Sequence, residues 1–204
     1  MKRLSSQKRQ FVTIKTLLKL SENNNPDFIT TSDIAKSMGL TQGAIFKHFP
    51  TKYDLFNNLI NWISNHIMSI LNKTLNNNDS ALKALEDAFF SHIKFISKYP
   101  SIPRILLLQL LDSRDTLPKR TAKKFLENYI EKLTLVVERG KINKEICESI
   151  DTQSISEFFL ENIQGLVLYS TITKNKKEIL EKAKIVFYIF RKGISCQNNG
   201  GISE

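Results

Sequence analysis

The sequence predicts an all-α protein: an N-terminal three-helix helix-turn-helix domain over residues 1–52, a C-terminal helical domain over 53–194 and a disordered tail over 195–204. Apolar residues recur at three- and four-residue spacing through most of the 204 residues, the period of a helix with one buried face. No stretch alternates apolar and polar residues as a half-buried strand does. Capping and stopping residues stand between the periodic segments where helix ends require them.

Residues 1–22 predict a helix with Phe11, Ile14, Leu17 and Leu18 turned inward and Lys8, Arg9, Lys15 and Lys19 in water. Lys2 and Arg3 are either a solvated tail or reach toward a DNA backbone or minor groove. Glu22 to Asp27 reads as a loop, and Thr30 or Thr31 as the cap of a short helix over Ser32 to Ser37. Gly39 supplies a left-handed residue to end it. Thr41 caps a second short helix running to about His48, closed by Phe49-Pro50 because the residue before proline avoids helical geometry. Ala35 lets the two helices cross closely, and Ile45 fills the space between them.

This is the pattern of a helix-turn-helix whose second helix enters a major groove. Gln42 can meet a base edge, Gly43 and Ala44 permit close approach, and Ala44 can touch a thymine methyl. Lys47, His48 and Lys52 suit phosphate oxygens. Thr31, Thr41 and Phe46 complete the expected DNA-facing set.

The stretch IFKHFPTKYDLF, from Ile45 to Phe56, resembles the signature of the TetR/AcrR family of transcriptional regulators. The resemblance covers about the first quarter of the chain. It implies an all-helical homodimeric regulator, most often a repressor, with a C-terminal ligand-binding domain. Phe46 stands where the family usually carries a tyrosine, so the phosphate hydrogen bond of that hydroxyl is missing here.

A long helix from Thr51 to about Leu75 carries Phe56, Leu59, Ile60, Ile63, Ile67, Ile70 and Leu71 on one face. After the Asn76–Asp79 loop, capped by Asp79 or Ser80, a helix bears Leu82, Leu85, Phe89, Ile93 and Ile96 and stops before Pro100. Ile102 to Leu111 is apolar nearly all round, which predicts a short buried helix. Thr121 to Arg139 forms the next, with Gly140 as its stop. Asp151 or Thr152 caps a helix to about Ile172, and the last runs from about Lys176 to Ile194.

Phe89, Ile93, Leu107, Leu111, Leu126, Tyr129, Phe159 and Asn162 are read as core or, given the resemblance, as the lining of an apolar effector pocket. Phe159, Ile163, Gly165 and Val167, with Ala183, Val186, Phe187 and Phe190, give the last two helices wide apolar faces expected to form a homodimer surface. A DNA-bound adaptor that holds a protein partner instead of a ligand is the rival reading.

The net charge of +10 fits a nucleic-acid partner, though a lysine-, asparagine- and isoleucine-rich composition also follows from biased coding DNA. Residues 1–60 hold nine basic against four acidic residues, so half the excess sits in under a third of the chain. His48, His66 and His92 are scattered, and neither a phosphate loop nor a nucleophile elbow is present, which argues against an enzyme, a cofactor or a metal site. Cys147 and Cys196 lack metal-ligand spacing and suit a reducing cytoplasm. No apolar run reaches the roughly 20 residues a membrane span needs.

Overall fold

The computed structural model describes residues 6–76, 79–173 and 178–196, and among these the regular elements are helices, with one isolated bridge between Ile146 and Ser195. The helices are α1 (Ser6–Leu20), α2 (Thr31–Ser37), α3 (Gln42–Phe46), α4 (Lys52–Asn76), α5 (Ala81–Lys98), α6 (Ile102–Leu111), α7 (Leu117–Ile142), α8 (Thr152–Thr173) and α9 (Ile179–Ile194). Lys2, Arg3 and residues 197–204 of the expected tail lie outside the described residues.

Two compact units divide the chain. The first is Met1–Asn65 with Tyr99–Phe125, the second His66–Lys98 with Leu126–Glu204. Of the three dividing points, two fall inside α4 and α7 and one between α5 and α6, whereas the sequence places its boundary at residue 52.

In the first unit, Ile14, Leu17 and Leu18 of α1 are buried with Ile34, Ala35, Ile45, Phe49 and Leu59. Phe11 does not join them. It is 39% exposed and lies on the rim, its ring centroid 6.3 Å from that of Trp62. The Ser101 hydroxyl donates to the Leu18 carbonyl at 3.0 Å, using an acceptor that the end of α1 leaves unpaired. Helix α6 departs from expectation. Ile105 and Gln109, four apart, are buried, while Leu107 and Leu111, also four apart, are exposed on another face.

In the second unit, α5, α8 and α9 meet through aromatic rings. Phe89 sits 5.5 Å edge-on from Phe159 and 5.2 Å from Phe187, and Phe159 sits 5.5 Å from Phe190. Such tilted contacts contribute about 0.5–1.5 kcal/mol each beyond area burial. Beside them His92 Nδ1 lies 2.9 Å from the Tyr129 hydroxyl, a buried polar pair in an apolar interior. The Glu145 carboxylate caps α5 from a distant part of the chain, accepting from the N–H groups of Ala81 (3.0 Å) and Leu82 (3.3 Å) and from the Ser80 hydroxyl. Helix α8 is capped by Asp151, which accepts from the Ser154 N–H at 2.7 Å.

Gly140 does not stop α7, which continues to Ile142; the left-handed residue is Lys144, at φ 59°. The glycine is needed for packing. A Cβ there would lie 2.6 Å from Ile146 Cδ1 and 2.8 Å from Ala81 Cβ. Gly140→Ala is therefore expected to cost about 1–3 kcal/mol by overpacking, read as a lower urea midpoint at unchanged slope.

Burial holds the His92 imidazole neutral, lowering its pKa to about 4. In the unfolded chain it protonates near 6.5. Between those values the unfolded state binds more protons, so this residue makes stability fall as pH drops from about 6.5 to about 4. Thermal melts across that range should show the decline, and His92→Gln should flatten it. An equally steep decline in the variant would assign it to other groups.

Candidate nucleic-acid interface

Helix α2 begins with a reciprocal cap. The Thr30 side chain accepts from the Asp33 N–H at 3.1 Å, and Asp33 Oδ2 accepts from the Thr30 N–H at 2.9 Å. These hydrogen bonds hold the Asp33 carboxyl below its usual range. The helix ends on Gly39 at φ 64°, with Gly39 N–H donating to Lys36 O (3.1 Å) and Leu40 N–H to Ala35 O (2.9 Å). That pair of bonds is a Schellman turn, whose left-handed residue is glycine because a Cβ would be strained there. Ile34, Ala35 and Ile45 are buried where α2 and α3 cross.

Helix α3 is shorter than expected, ending at Phe46, and Thr41 precedes it in extended conformation without a side-chain cap bond. With Ile45 inward, Thr41, Gln42, Gly43, Phe46 and Lys47 are exposed and Ala44 and His48 half-buried. A Cβ at Gly43 would meet nothing within 4 Å, so the fold does not require glycine there. What the missing side chain offers is close approach from outside.

The polar groups on this face are partly ordered already. Gln42 Nε2 donates to the Thr31 hydroxyl at 3.0 Å, a second-residue contact that ties α3 to the start of α2. His48 Nδ1 lies 3.3 Å from Ser6 Oγ. The Lys47 side chain makes no hydrogen bond or ion pair among the described residues, while its N–H donates to the Gly43 carbonyl at 3.1 Å. Lys52 donates to the Asp27 carbonyl and lies 5.6 Å from the Phe56 ring centre, and partial burial lowers its pKa. Helix α4 opens with a second reciprocal cap, Thr51 with Asp54.

The residues read as a ligand pocket are not brought together as one lining. Phe89, Ile93, Tyr129 and Phe159 are packed in the core of the second unit, with Leu126 half-buried. Leu107 (45% exposed) and Leu111 (72% exposed) belong to the first unit and face outward. Asn162 donates to the Phe158 carbonyl in its own helix at 2.6 Å and lines an open groove of about 460 Å³ on α8 and α9 with Phe158, Gly165, Tyr169 and Val186. A cavity of about 630 Å³ lies in the first unit, lined by Lys52, Tyr53, Phe56, Leu108, Gln109 and Leu111 among others.

The residues read as a dimer surface need the same correction. Phe159, Ile163, Val167, Ala183, Phe187 and Phe190 are buried within this one chain; only Gly165 is exposed and Val186 half-buried. The outward faces of α8 and α9 are nonetheless apolar. Phe158, Leu168, Tyr169 and Ile172 on α8, and Leu180, Ile185, Tyr188 and Ile189 on α9, are each at least 45% exposed. Part of the signal was available in the sequence, since Leu168 and Tyr169 stand four and three residues before Ile172, and Ile185 stands three and four before Tyr188 and Ile189.

A family model described as bacterial regulatory proteins, tetR family, matches residues 18–59, the segment that holds the two crossed helices and the start of α4. Over those residues the chain carries a TetR-family regulatory domain. Its fold, an N-terminal helix-turn-helix followed by a C-terminal helical domain, is that of solved TetR-family regulators. The nucleoid occlusion factor SlmA of Alteromonas mediterranea is 27% identical over 160 residues, covering 78% of this chain and 82% of that protein. The fatty acid degradation regulator FadR of Bacillus halodurans has a TM-score of 0.81 at 16% identity, over 95% of this chain and 98% of that one. FadR of Bacillus subtilis, solved with stearoyl-CoA, has a TM-score of 0.79 at 18% identity over 90% and 98%. Among the described residues no group of histidine, cysteine or acidic residues is arranged to hold a metal, and no helix is long and apolar enough to cross a membrane.

The two faces of α8 and α9 respond differently to a charge. Ile163→Asp buries a carboxylate at a site 1% exposed, which costs several kcal/mol and should abolish cooperative unfolding. Ile185→Asp, at a site 62% exposed, should leave the circular dichroism spectrum and the fold intact. A folded Ile163→Asp protein would show the core assignment to be wrong.

Proposed function

We propose that the protein is a transcriptional repressor that binds a near-palindromic operator as a homodimer. The observation that carries this is the outward face of α3, small at Gly43, open at Lys47 and polar at Gln42, on a helix held rigidly by the Schellman turn. In this reading α3 enters the major groove, with Gln42 and Ala44 at base edges. Thr31, Thr41, Lys47, His48 and Lys52 meet phosphates, and Phe46 packs its ring against the backbone. A helix of this length reads only a half-site, so two copies are required, with their α3 helices about 34–36 Å apart. The exposed apolar faces of α8 and α9 are the surface that would pair them. Such a regulator acts in the cytoplasm, where its DNA is.

The effector in this reading is small and mainly apolar; the Bacillus subtilis neighbour was solved with stearoyl-CoA, whose acyl chain is apolar and whose CoA part is large and charged. It would enter the second unit by parting the rings of Phe89, Phe159 and Phe187. Release of DNA then requires that it bind the DNA-incompetent state more tightly, since equal affinity for both shifts nothing. A second reading is supported by how closely those rings already pack: an adaptor that stays on DNA and engages a protein partner instead of a small ligand.

Sequences selected by the purified protein from a random duplex library provide the test. Lys52→Ala and Lys47→Ala should weaken binding to the selected sequence, and log affinity should fall with log salt at about −0.9 per phosphate neutralised. Gln42→Ala should change which sequences are selected. Ile189→Asp should give a folded monomer in sedimentation that no longer binds the operator. Salt-insensitive binding, or no selected sequence, would sink the DNA reading. Stearoyl-CoA that leaves the operator complex unchanged up to its solubility limit would favour the adaptor.

A further inference from the structure

The chain's two cysteines lie far apart in sequence and close together in the fold. Cys147 follows Ile146 in the connection between α7 and α8, and Cys196 stands just beyond the end of α9. An antiparallel bridge pairs Ile146 with Ser195, and the Cys147 N–H donates to the Ile194 carbonyl at 2.8 Å. Side chains alternate between the two sides of such a pair, so Ile146 and Ser195 share one side while Cys147 and Cys196 share the other. They are diagonal neighbours. Diagonal pairs have Cα atoms about 7–8 Å apart and Cβ atoms nearer. A disulfide needs at most about 6.8 Å between Cα atoms, so closure from a diagonal spacing requires the backbone to move inward at Cys196, which lies outside both helix and bridge.

The two thiols are already in electrostatic contact and differ in kind. Hydrogen bonds from Ser149, whose Oγ lies 3.1 Å from Cys147 Sγ, hold the Cys147 thiol below its ordinary range, with Cys196 adding to the effect. Desolvation and the neighbouring Cys147 charge push the Cys196 thiol up. Cys147 is half-exposed and Cys196 exposed, so both are open to small molecules. A more acidic thiol beside a less acidic one is the arrangement of an attacking and a resolving cysteine.

We propose that Cys147 and Cys196 form a hydroperoxide-responsive dithiol that closes to an intrachain disulfide and ties the end of α9 to the α7–α8 connection. The Cys147 thiolate attacks the terminal oxygen of the hydroperoxide; the O–O bond breaks, the leaving oxygen takes a proton to become an alcohol or water, and Cys147 becomes a sulfenic acid. The Cys196 sulfur then attacks the Cys147 sulfur, the S–S bond forms, and the sulfenic oxygen leaves as water. The dithiol loses two electrons and the peroxide gains them. Reduced thiols of the cell reverse the change by exchange. The tie holds α9 at Ile194, the last buried residue of the helix whose outer face is Ile185, Tyr188 and Ile189.

The test uses the full chain and hydrogen peroxide. Reduced protein given a small molar excess should lose both thiols together, lose two hydrogens in intact mass, and yield a peptide pair linked through Cys147 and Cys196, all reversed by dithiothreitol. The oxidised monomer should melt several degrees higher. In Cys196→Ser, Cys147 should instead accumulate as a sulfenic acid trapped by dimedone; in Cys147→Ser, Cys196 should react far more slowly. The proposal is overturned if both thiols survive peroxide that oxidises glutathione, if the product is a covalent dimer, or if wild type and Cys196→Ser trap equal dimedone. Neither cysteine lies on the DNA-facing helix, so this result is independent of operator binding.

Discussion

The left-handed turn at Gly39 is the constraint on which the helix-turn-helix part of this structure depends. It lets Leu40 and Gly39 return their N–H groups to the last carbonyls of α2, so that the chain reverses within two residues. Only then can Ala35 and Ile45 meet, both essentially removed from water. With Ile45 turned inward, helical spacing dictates that Gln42, Gly43 and Lys47 point out. A side chain on residue 39 would meet no neighbour, so the requirement comes from backbone conformation alone.

This part of the fold was legible in the sequence because its signals are local. Thr30 with Asp33 and Thr51 with Asp54 are three-residue patterns, Gly39 is a single residue, and Phe49-Pro50 is a dipeptide. Each reports a helix end with no knowledge of the rest of the chain. What could not be read is which polar groups are already engaged. Lys52 looks in sequence like a free cation; it is partly desolvated over Phe56 and donates to the Asp27 carbonyl. Gln42 looks like a free amide and is held by Thr31. Both contacts join residues far apart in sequence, so no window reveals them.

The second unit was legible as helices and not as surfaces. On α8, Phe158 is half-exposed and its neighbour Phe159 buried; on α9, Phe187 and Phe190 are buried while Tyr188 and Ile189 between them are exposed. A helix with two adjacent apolar series has two candidate inner faces, and periodicity ranks them without saying which one the chain covers itself. The aromatic series went inward because rings from α5, α8 and α9 can meet edge to face there. Gly140 was misread for a related reason. In sequence it resembles a helix stop, yet its role is to admit Ile146 and Ala81 against α7. Tertiary contacts decide between those two uses of glycine.

The division between faces also determines what a substitution can report. Gly43, Phe46 and Lys47 are exposed, and the fold draws little from them, so a change there can alter binding while leaving stability nearly constant. Phe89, Ile163 and Phe187 are the opposite. Each is buried among several rings or aliphatic groups, and truncating or charging it costs several kcal/mol, a large part of what a domain of this size has. Loss of function after such a change measures unfolding. Residues such as Ile185 and Ile189 are therefore where the proposed association of two copies can be probed separately from the fold, because they are apolar enough to matter in an interface and exposed enough to be dispensable without one.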